Sequence, residues 1–524
     1  MIGNPARWFD TSADMWPVTT ENAVDFFISG EAAFGDIAER LQHDAAKGAV
    51  FLMLGWSCDV DVKIAPAGPA GETLKSHLEW FSKQGGSVFA MVWKNTIFES
   101  VKTKDAVTVV NALPASAGHA VLDARTPLAG SHHQKVQIVV SPITEETKHE
   151  ASGVGVAYCG GMDFAANRVG PNALHDVHCK IRGAATKHFV DVVRERWGDH
   201  PDATTAIPTM IEGTQPIGSC SVQVCRTYPA FQNPGLTSFF SNQLLDTMNA
   251  SLAKLDRPTA GDMRVRGSVR LPTFYPPTTG IQQVWRAIRK AITTAERFIY
   301  VEDQYFTHKW VGDALARKLS SANQDFRLVL VLLSPDAMDV EQAWQRRRIA
   351  LQALTKLDPS RKRWTVVQRD PRKPFSYVHS KTWIFDDELV ITGSANADRR
   401  GFTYNSEVDL VVTGKFEQKF SNVTSIGATT VAQDLRCRLF AKHLGDQPAA
   451  HLDSAKAIAK FFGNLGSTNV APFNAASNPG KPDDVLAKLR VAGLGPLLDF
   501  APGGPEEFLW NNLHDPDPLV PEPP

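Results

Sequence analysis

Two stretches of this 524-residue chain carry the same features in the same order, and that duplication limits the folds open to it. The first begins with a helical segment, 35–48, and runs into the apolar strand 49–59. The second begins with the helix 281–296 and runs into the strand 297–306. Each then offers a further helix and strand, the strand at 87–94 in one and at 327–335 in the other. Alternation of helices with near-continuous apolar strands predicts an α/β fold with mixed, mostly buried β-sheets flanked by helices. Further on, SHHQKVQIVV (131–140) matches VHSKTWIFDD (378–387), YCGGMDFAANR (158–168) matches ITGSANADRR (391–400), and HDVHCKIRG (175–183) matches NSEVDLVVTG (405–414). His133 and His379 lie 246 residues apart, the span of a domain-sized unit and not of a solenoid repeat. The expected organisation is a first unit at 1–200, a linker and insertion at 201–270, a second unit at 271–450, and a helix with a Pro/Gly-rich tail at 451–524. Helices are expected at 238–255 and 454–466 within the last-named connecting and terminal regions.

Charge and cysteine content exclude some classes. Lys and Arg number 55 against 56 Asp and Glu, a formal net charge of -1, which argues against a nonspecific nucleic-acid binder. The basic runs 346–348 and 361–363 read as solvated faces. Six cysteines make no disulfide framework. Cys58, Cys159 and Cys179 sit in apolar runs as buried thiols, while a local Cys220–Cys225 bridge stays open. The N-terminus lacks the pattern of a Sec signal peptide, and runs such as 328–333 are too short to span a bilayer. The expectation is a soluble chain, cytoplasmic or exported without a Sec signal.

The chemistry concentrates in the repeated segments. Period-two alternation places His133 with Lys135, and His379 with Lys381, on common faces. An imidazole can attack phosphorus or move a proton near neutral pH, and an adjacent lysine supplies positive charge to a phosphoryl oxygen. One His-x-Lys fits a surface pair equally well; two copies inside one longer repeated pattern do not. Gly160-Gly161 and Gly393-Ser394 follow apolar strands and can let backbone approach a phosphate. Asn396 can donate to a phosphoryl oxygen; Asp163, at the matching place, would not help an anion directly and can pair with a lysine or with Arg168. Gly161, Ser394, Asn396 and Asp163 are therefore the candidate substrate-binding set. A catalytic histidine needs its second ring nitrogen held, which a carboxylate does well. Asp176 and Glu407 hold equivalent places, and the pairing expected is Asp176 with His133 and Glu407 with His379. A metal at His175, Asp176 and His178 is disfavoured, since neighbours on a strand alternate faces and no zinc motif is present.

These residues resemble the phospholipase D superfamily, whose hallmark is two copies of H-x-K-x(4)-D followed by G-G/S-x-N. The second copy is complete: His379, Lys381, Asp386, Gly393, Ser394 and Asn396. The first departs from it at Val140, where the family has a mainly structural aspartate, and at Asp163, where it has Asn. The resemblance covers about 45–200 and 275–445. It implies two related α/β lobes with the active site at their interface, and a mechanism that needs no metal or other cofactor. It further implies attack by His133 to give a phosphohistidine, protonation of the leaving alcohol by His379, and stabilisation of oxygens by Lys135, Lys381 and Asn396. The implied activity is hydrolysis of the distal phosphodiester bond of glycerophospholipids to phosphatidic acid and a free alcohol, with transphosphatidylation when an alcohol is the acceptor. The implied partner is phospholipid at a membrane or micelle surface, with Trp56, Trp93, Phe306 or Trp310 as candidate contacts for acyl chains. A monomer is expected because both motifs lie in one chain. Three alternatives stay open: a cardiolipin-synthase-like phosphatidyltransferase, a nuclease or other phosphodiesterase, and a catalytically silent lipid-binding scaffold.

Overall fold

The computed structural model describes residues 4–45, 48–94, 102–114, 117–126, 130–141, 155–208, 216–230, 275–276, 279–338, 341–421, 423–424, 426–466, 468–473 and 522. The helix expected at 238–255, most of the 201–270 insertion and the tail beyond Phe473, Glu522 aside, lie outside the described residues.

Apolar runs become strands. In the first half these are β1 (Thr19–Phe27), β2 (Val50–Gly55), β3 (Ser87–Trp93), β4 (Gly118–Asp123), β5 (Val136–Val140), β6 (Gly155–Gly160) and β7 (His178–Arg182). The second half has β8 (Cys220–Tyr228), β9 (Ile281–Gln282), β10 (Phe298–Asp303), β11 (Arg327–Leu332), β12 (Trp364–Arg369), β13 (Thr382–Phe385), β14 (Leu389–Gly393), β15 (Glu407–Thr413) and β16 (Val470–Pro472). Together they form one mixed sheet of sixteen strands. From a central β1–β8 seam the order runs β1-β7-β6-β5-β2-β3-β4 on one side and β8-β15-β14-β13-β10-β11-β12-β16 on the other, with β9 pairing to β8 off this path. Strand directions repeat as well. β2, β3 and β4 pair in parallel, as do β10, β11 and β12, and the strands from β2 or β10 inward pair antiparallel. The sequence repeat is therefore also a repeat of topology. At the seam the register shifts between Thr19 and Asn22, and the Asn22 amide donates to the carbonyls of Thr19 and Cys220.

Helices cover the sheet: α1 (Gly30–Asp44), α2 (Leu74–Lys83), α3 (Thr103–Asn111), α4 (Ala185–Gly198), α5 (Gln283–Thr294), α6 (Lys309–Ser321), α7 (Glu341–Leu357), α8 (Val431–Leu444) and α9 (Ser454–Lys460). α5 shows why: Val284, Trp285, Ile288 and Ile292 recur at helical spacing and are buried, each contributing about 1.5–3 kcal/mol by leaving water. The central strands β2, β10 and β11 are apolar almost throughout because helices or neighbouring strands cover both faces.

Several boundaries differ from expectation. The helix expected from 35 starts at Gly30, because the Ser29 hydroxyl caps the Ala32 amide. The strand expected to run to 59 ends at Gly55, where the chain turns toward Asp163. The helix expected at 454–466 ends at Lys460. Cys220 and Cys225 are both free and buried; an odd separation along β8 sends them to opposite faces, so no bridge joins them. The 346–348 run is not wholly solvated. Arg347 is buried and donates to the carbonyls of Gln304, Tyr305 and Leu333, pinning the ends of β10 and β11. Among the described residues no helix is long and apolar enough to cross a membrane.

Candidate active site

Both His-x-Lys segments are extended but precede their strands, β5 and β13, so free backbone groups remain for longer-range pairing. Those groups reach the other half. The His133 amide donates to the Ser406 carbonyl at 3.0 Å, and the Ser406 amide to Ser131 at 2.9 Å. In mirrored fashion the His379 amide donates to the His175 carbonyl and the His175 amide to Tyr377, both at 2.8 Å. The residue after each bridging position is the acid. Each acid thus lands on the histidine of the opposite half: His133 Nδ1 lies 2.9 Å from Glu407, and His379 Nδ1 lies 2.8 Å from Asp176 Oδ2. This reverses the expected pairing of Asp176 with His133 and Glu407 with His379. Sequence placed the acids at equivalent positions but held no information on which half they face.

Each acid is held in turn. Glu407 accepts from Ser394 Oγ at 2.6 Å and from Asn405 Nδ2 at 2.9 Å. Asp176 accepts the Val177 amide at 2.9 Å. A methyl group on Gly161 would overlap the Asp176 carboxylate, so this glycine is needed for close approach of the acid. Gly161→Ala should displace Asp176 from His379 and lower turnover by about 100-fold, the scale of an ångström-sized misplacement, with thermal stability much less affected. A variant with wild-type kcat and an intact His379–Asp176 contact would remove Gly161 from the machinery.

The lysines fold back on their own motifs. Lys135 Nζ donates to the His133 carbonyl at 3.0 Å and pairs with Asp163 at 3.2 Å. Asp163 Oδ1 accepts the Trp56 and Ser57 amides, so this carboxylate sits behind the lysine and does not line an anion site as a donor. Ser394 likewise serves Glu407, and Gly161 serves Asp176, while Asn396 Oδ1 is buried without a hydrogen-bond partner. Lys381 donates to the His379 carbonyl and, at 3.1 Å, to Gln304 Oε1. The loop that carries Asn396 is fixed by two acids, with the Ala395 amide donating to Asp409 and the Ala397 amide to Asp303.

Burial holds both imidazoles well below the ordinary histidine range, assisted for His133 by Lys135 and Lys381 and for His379 by Lys381 and Arg168. Burial pushes the Glu407 carboxyl up, opposed by Lys135 and the Ser394 and Asn405 donors. The Lys381 ammonium is pushed down to about 8, chiefly by burial. The free enzyme then presents two neutral imidazoles at neutral pH, each with Nδ1–H on a carboxylate and Nε2 available. kcat/KM should fall on the acid side well below pH 6.5, as the imidazoles gain protons, and on the alkaline side near pH 8, as Lys381 loses one. A pH–rate profile still flat at pH 9, or an acid limb at 6.5, would contradict this electrostatic account.

Two arginines complete the surroundings. Arg168 Nη2 lies 3.3 Å from His379 Nε2, and its Nε lies 3.8 Å from Asp176. Arg400, the first residue of a π-helical turn, approaches Ser131 at 3.5 Å and acts electrostatically on His133. The sequence signal was present, since an arginine closes each of the two matched glycine segments. Gln304, Asn405 and the bridging backbone of His175 and Ser406 had no such signal. Trp56 stands edge-on to His133 at 6.0 Å and stacks on Trp93 at 5.6 Å. Phe306 is fully buried in the core, and Trp310 packs on Trp285 and His308.

The expected cluster of His175, Asp176 and His178 is split, because Asp176 turns to His379 and His178 to Gln137. A different group, His175, Glu302 and His443, brings its ligand atoms within 4.8 Å, and among the described residues it could hold a metal ion. Its atoms already satisfy one another: Glu302 accepts from His175 at 2.9 Å, from His443 at 2.7 Å and from Tyr300 at 2.6 Å. Burial opposes ionisation of Glu302, yet these donors hold it well below the usual carboxylate range.

Residues 288–424 match the family described as the PLD-like domain of cardiolipin synthase. Phospholipase D zeta 2 of Arabidopsis thaliana is 28% identical over 207 residues, 31% of this chain and 20% of that protein. Phospholipase D alpha 2 of Oryza sativa subsp. japonica is 24% identical over 531 residues, 76% of this chain and 62% of that protein. Over these spans the chain is similar to members of the phospholipase D superfamily. It spans between about a fifth and three fifths of these two relatives. In fold it is similar to phosphatidylserine synthase of Haemophilus influenzae Rd KW20, with a TM-score of 0.52 at 11% identity, covering 91% of this chain and 94% of that one.

The departures from the phospholipase D superfamily pattern have a local cause. Asp386, after β13, adopts a left-handed conformation and accepts the amides of Glu296, Arg297 and Phe298, closing the turn into β10. Val140 instead continues β5 and pairs with Val50 of β2. The first half extends a strand where the second half turns, and neither residue touches His133 or His379.

Proposed function

We propose that the protein is a phosphatidyl-transferring enzyme of the phospholipase D type, acting on glycerophospholipids, with an alcohol as acceptor and water as a competing acceptor. The observation that carries this reading is the pair of His–carboxylate dyads, each built from both halves, each beside a lysine. On this reading residues 1–200 and 271–450 are two lobes and the phosphate sits between them.

His133, its Nδ1–H held by Glu407, attacks phosphorus through Nε2; an N–P bond forms as the P–O bond to the headgroup breaks. The phosphodiester anion favours the imidazolium of His379, which passes its Nε2 proton to the leaving oxygen while Asp176 steadies the ring. His379 then takes a proton from the acceptor hydroxyl, which attacks phosphorus and releases His133. Lys135, Lys381 and the Asn396 amide stabilise the phosphoryl oxygens. No step needs a metal.

The likeness of 288–424 to the cardiolipin synthase family favours an alcohol as acceptor, and the relatives named phospholipase D favour water. The partition is measured directly. Incubation with mixed phospholipids, with and without a primary alcohol, should yield phosphatidyl-alcohol and phosphatidic acid respectively. Cleavage of DNA or a small phosphodiester with neither lipid product would replace this reading with the nuclease or general phosphodiesterase alternative.

A further inference from the structure

The two reactive imidazoles differ in what faces Nε2, the nitrogen that must do the chemistry. Beside His133 stands the indole of Trp56. Against His379 Nε2 lies the guanidinium of Arg168, at 3.3 Å. The Asp176 carboxylate can only accept, so it fixes the His379 proton on Nδ1 and leaves Nε2 as the acceptor for Arg168. Arg168 is 6% exposed, and its Nε is buried without a hydrogen-bond partner. Arg400 Nε is also buried without a hydrogen-bond partner.

An imidazole whose Nε2 accepts from a guanidinium cannot protonate a leaving group from that nitrogen. Arg168 must move aside first, and a guanidinium moves readily onto an oxyanion that offers it two acceptors. A quaternary ammonium or plain amine on the headgroup offers none, and would bring like charge toward the arginine. The aromatic face that suits an alkylammonium lies on the His133 side, away from the leaving group.

We propose that Arg168 is a specificity-determining residue that selects phospholipids whose leaving headgroup carries an anionic oxyacid, a carboxylate or a phosphate. The anion draws the guanidinium off His379 Nε2 and so frees the general acid. This rests on the phosphatidyl-transfer reading and on His379 serving the leaving group.

Matched short-chain lipids below their micellar concentration test it, since adsorption to a charged surface then plays no part. Dihexanoyl phosphatidylserine and phosphatidylethanolamine differ by one carboxylate; the phosphatidylglycerophosphate and phosphatidylglycerol analogues differ by one phosphate. The purified full chain should favour the anionic member of at least one pair by about tenfold or more in kcat/KM, and which pair responds identifies the anion. Arg168→Gln should bring that ratio close to one, and Arg168→Lys, which keeps charge but loses the planar fork, should leave it intermediate. A wild-type ratio at or below one in both pairs overturns the proposal. So does Arg168→Gln lowering both members of a pair in parallel, the mark of a merely structural role. Turnover of no lipid in either pair would instead refute the phosphatidyl-transfer reading, and this inference with it.

Discussion

His133→Ala and His379→Ala should each lower kcat/KM on a phospholipid by about 10^4-fold or more, the scale on which losing the nucleophile or the proton donor from a coupled constellation acts. The two losses are not equivalent. Without His133 no N–P bond forms, whatever the leaving group. Without His379 the bond can still form if the leaving group departs unaided. A p-nitrophenyl phosphodiester, whose phenolate needs no proton, should therefore recover the first step in His379→Ala, seen as a stoichiometric burst of p-nitrophenolate with slow turnover after it, and none of it in His133→Ala. Both side chains contact carboxylates that keep other donors, so the folded state should persist. Wild-type-like turnover by either purified variant would end the assignment. Recovery by His133→Ala in place of His379→Ala would exchange their roles.

The carboxylates give the second large effect and test the crossed geometry. Asp176→Asn and Glu407→Gln should each lower kcat by about 10^2–10^4-fold, since an amide no longer fixes the tautomer or offsets the charged ring. On the proposed roles Asp176 serves the proton donor, so the p-nitrophenyl substrate should relieve most of the Asp176→Asn defect in the burst of p-nitrophenolate, the first step, and not in steady-state turnover. Glu407 serves the nucleophile, and its defect should persist on both substrates. Pairing within each half would give the opposite pattern. The amide of Glu407→Gln can still meet Ser394 and Asn405, so the variant isolates the carboxylate–imidazole contact from the local fold.

The site was legible wherever it depends on short separations. His133 with Lys135, and His379 with Lys381, share an extended segment, and two-residue spacing alone brings each lysine back to its histidine's carbonyl. Asp386 was legible as a supporting residue for the same reason, because it closes a turn next to its own strand. Residues whose partners are distant were misread or missed. Asp163 was expected to pair with a lysine or with Arg168, and it pairs with Lys135; what the sequence did not show is that it also accepts the amides at 56–57. Arg347 looked solvated in a basic run, yet its guanidinium is buried on three carbonyls and holds the loop that presents Gln304 to Lys381.

The sequence by itself determined the repeated order of strands, the chemical groups available and the family they resemble, because apolar periodicity and compact motifs record contacts between near neighbours. Only the tertiary structure decided which acid serves which histidine. The partners lie 203 and 274 residues apart, and their pairing follows from how one half meets the other through the backbone bridges at His175 and Ser406. Two like halves can place equivalent acids on their own histidines or on each other's with the same local pattern. The choice is made by the meeting of the halves, which no window of sequence contains.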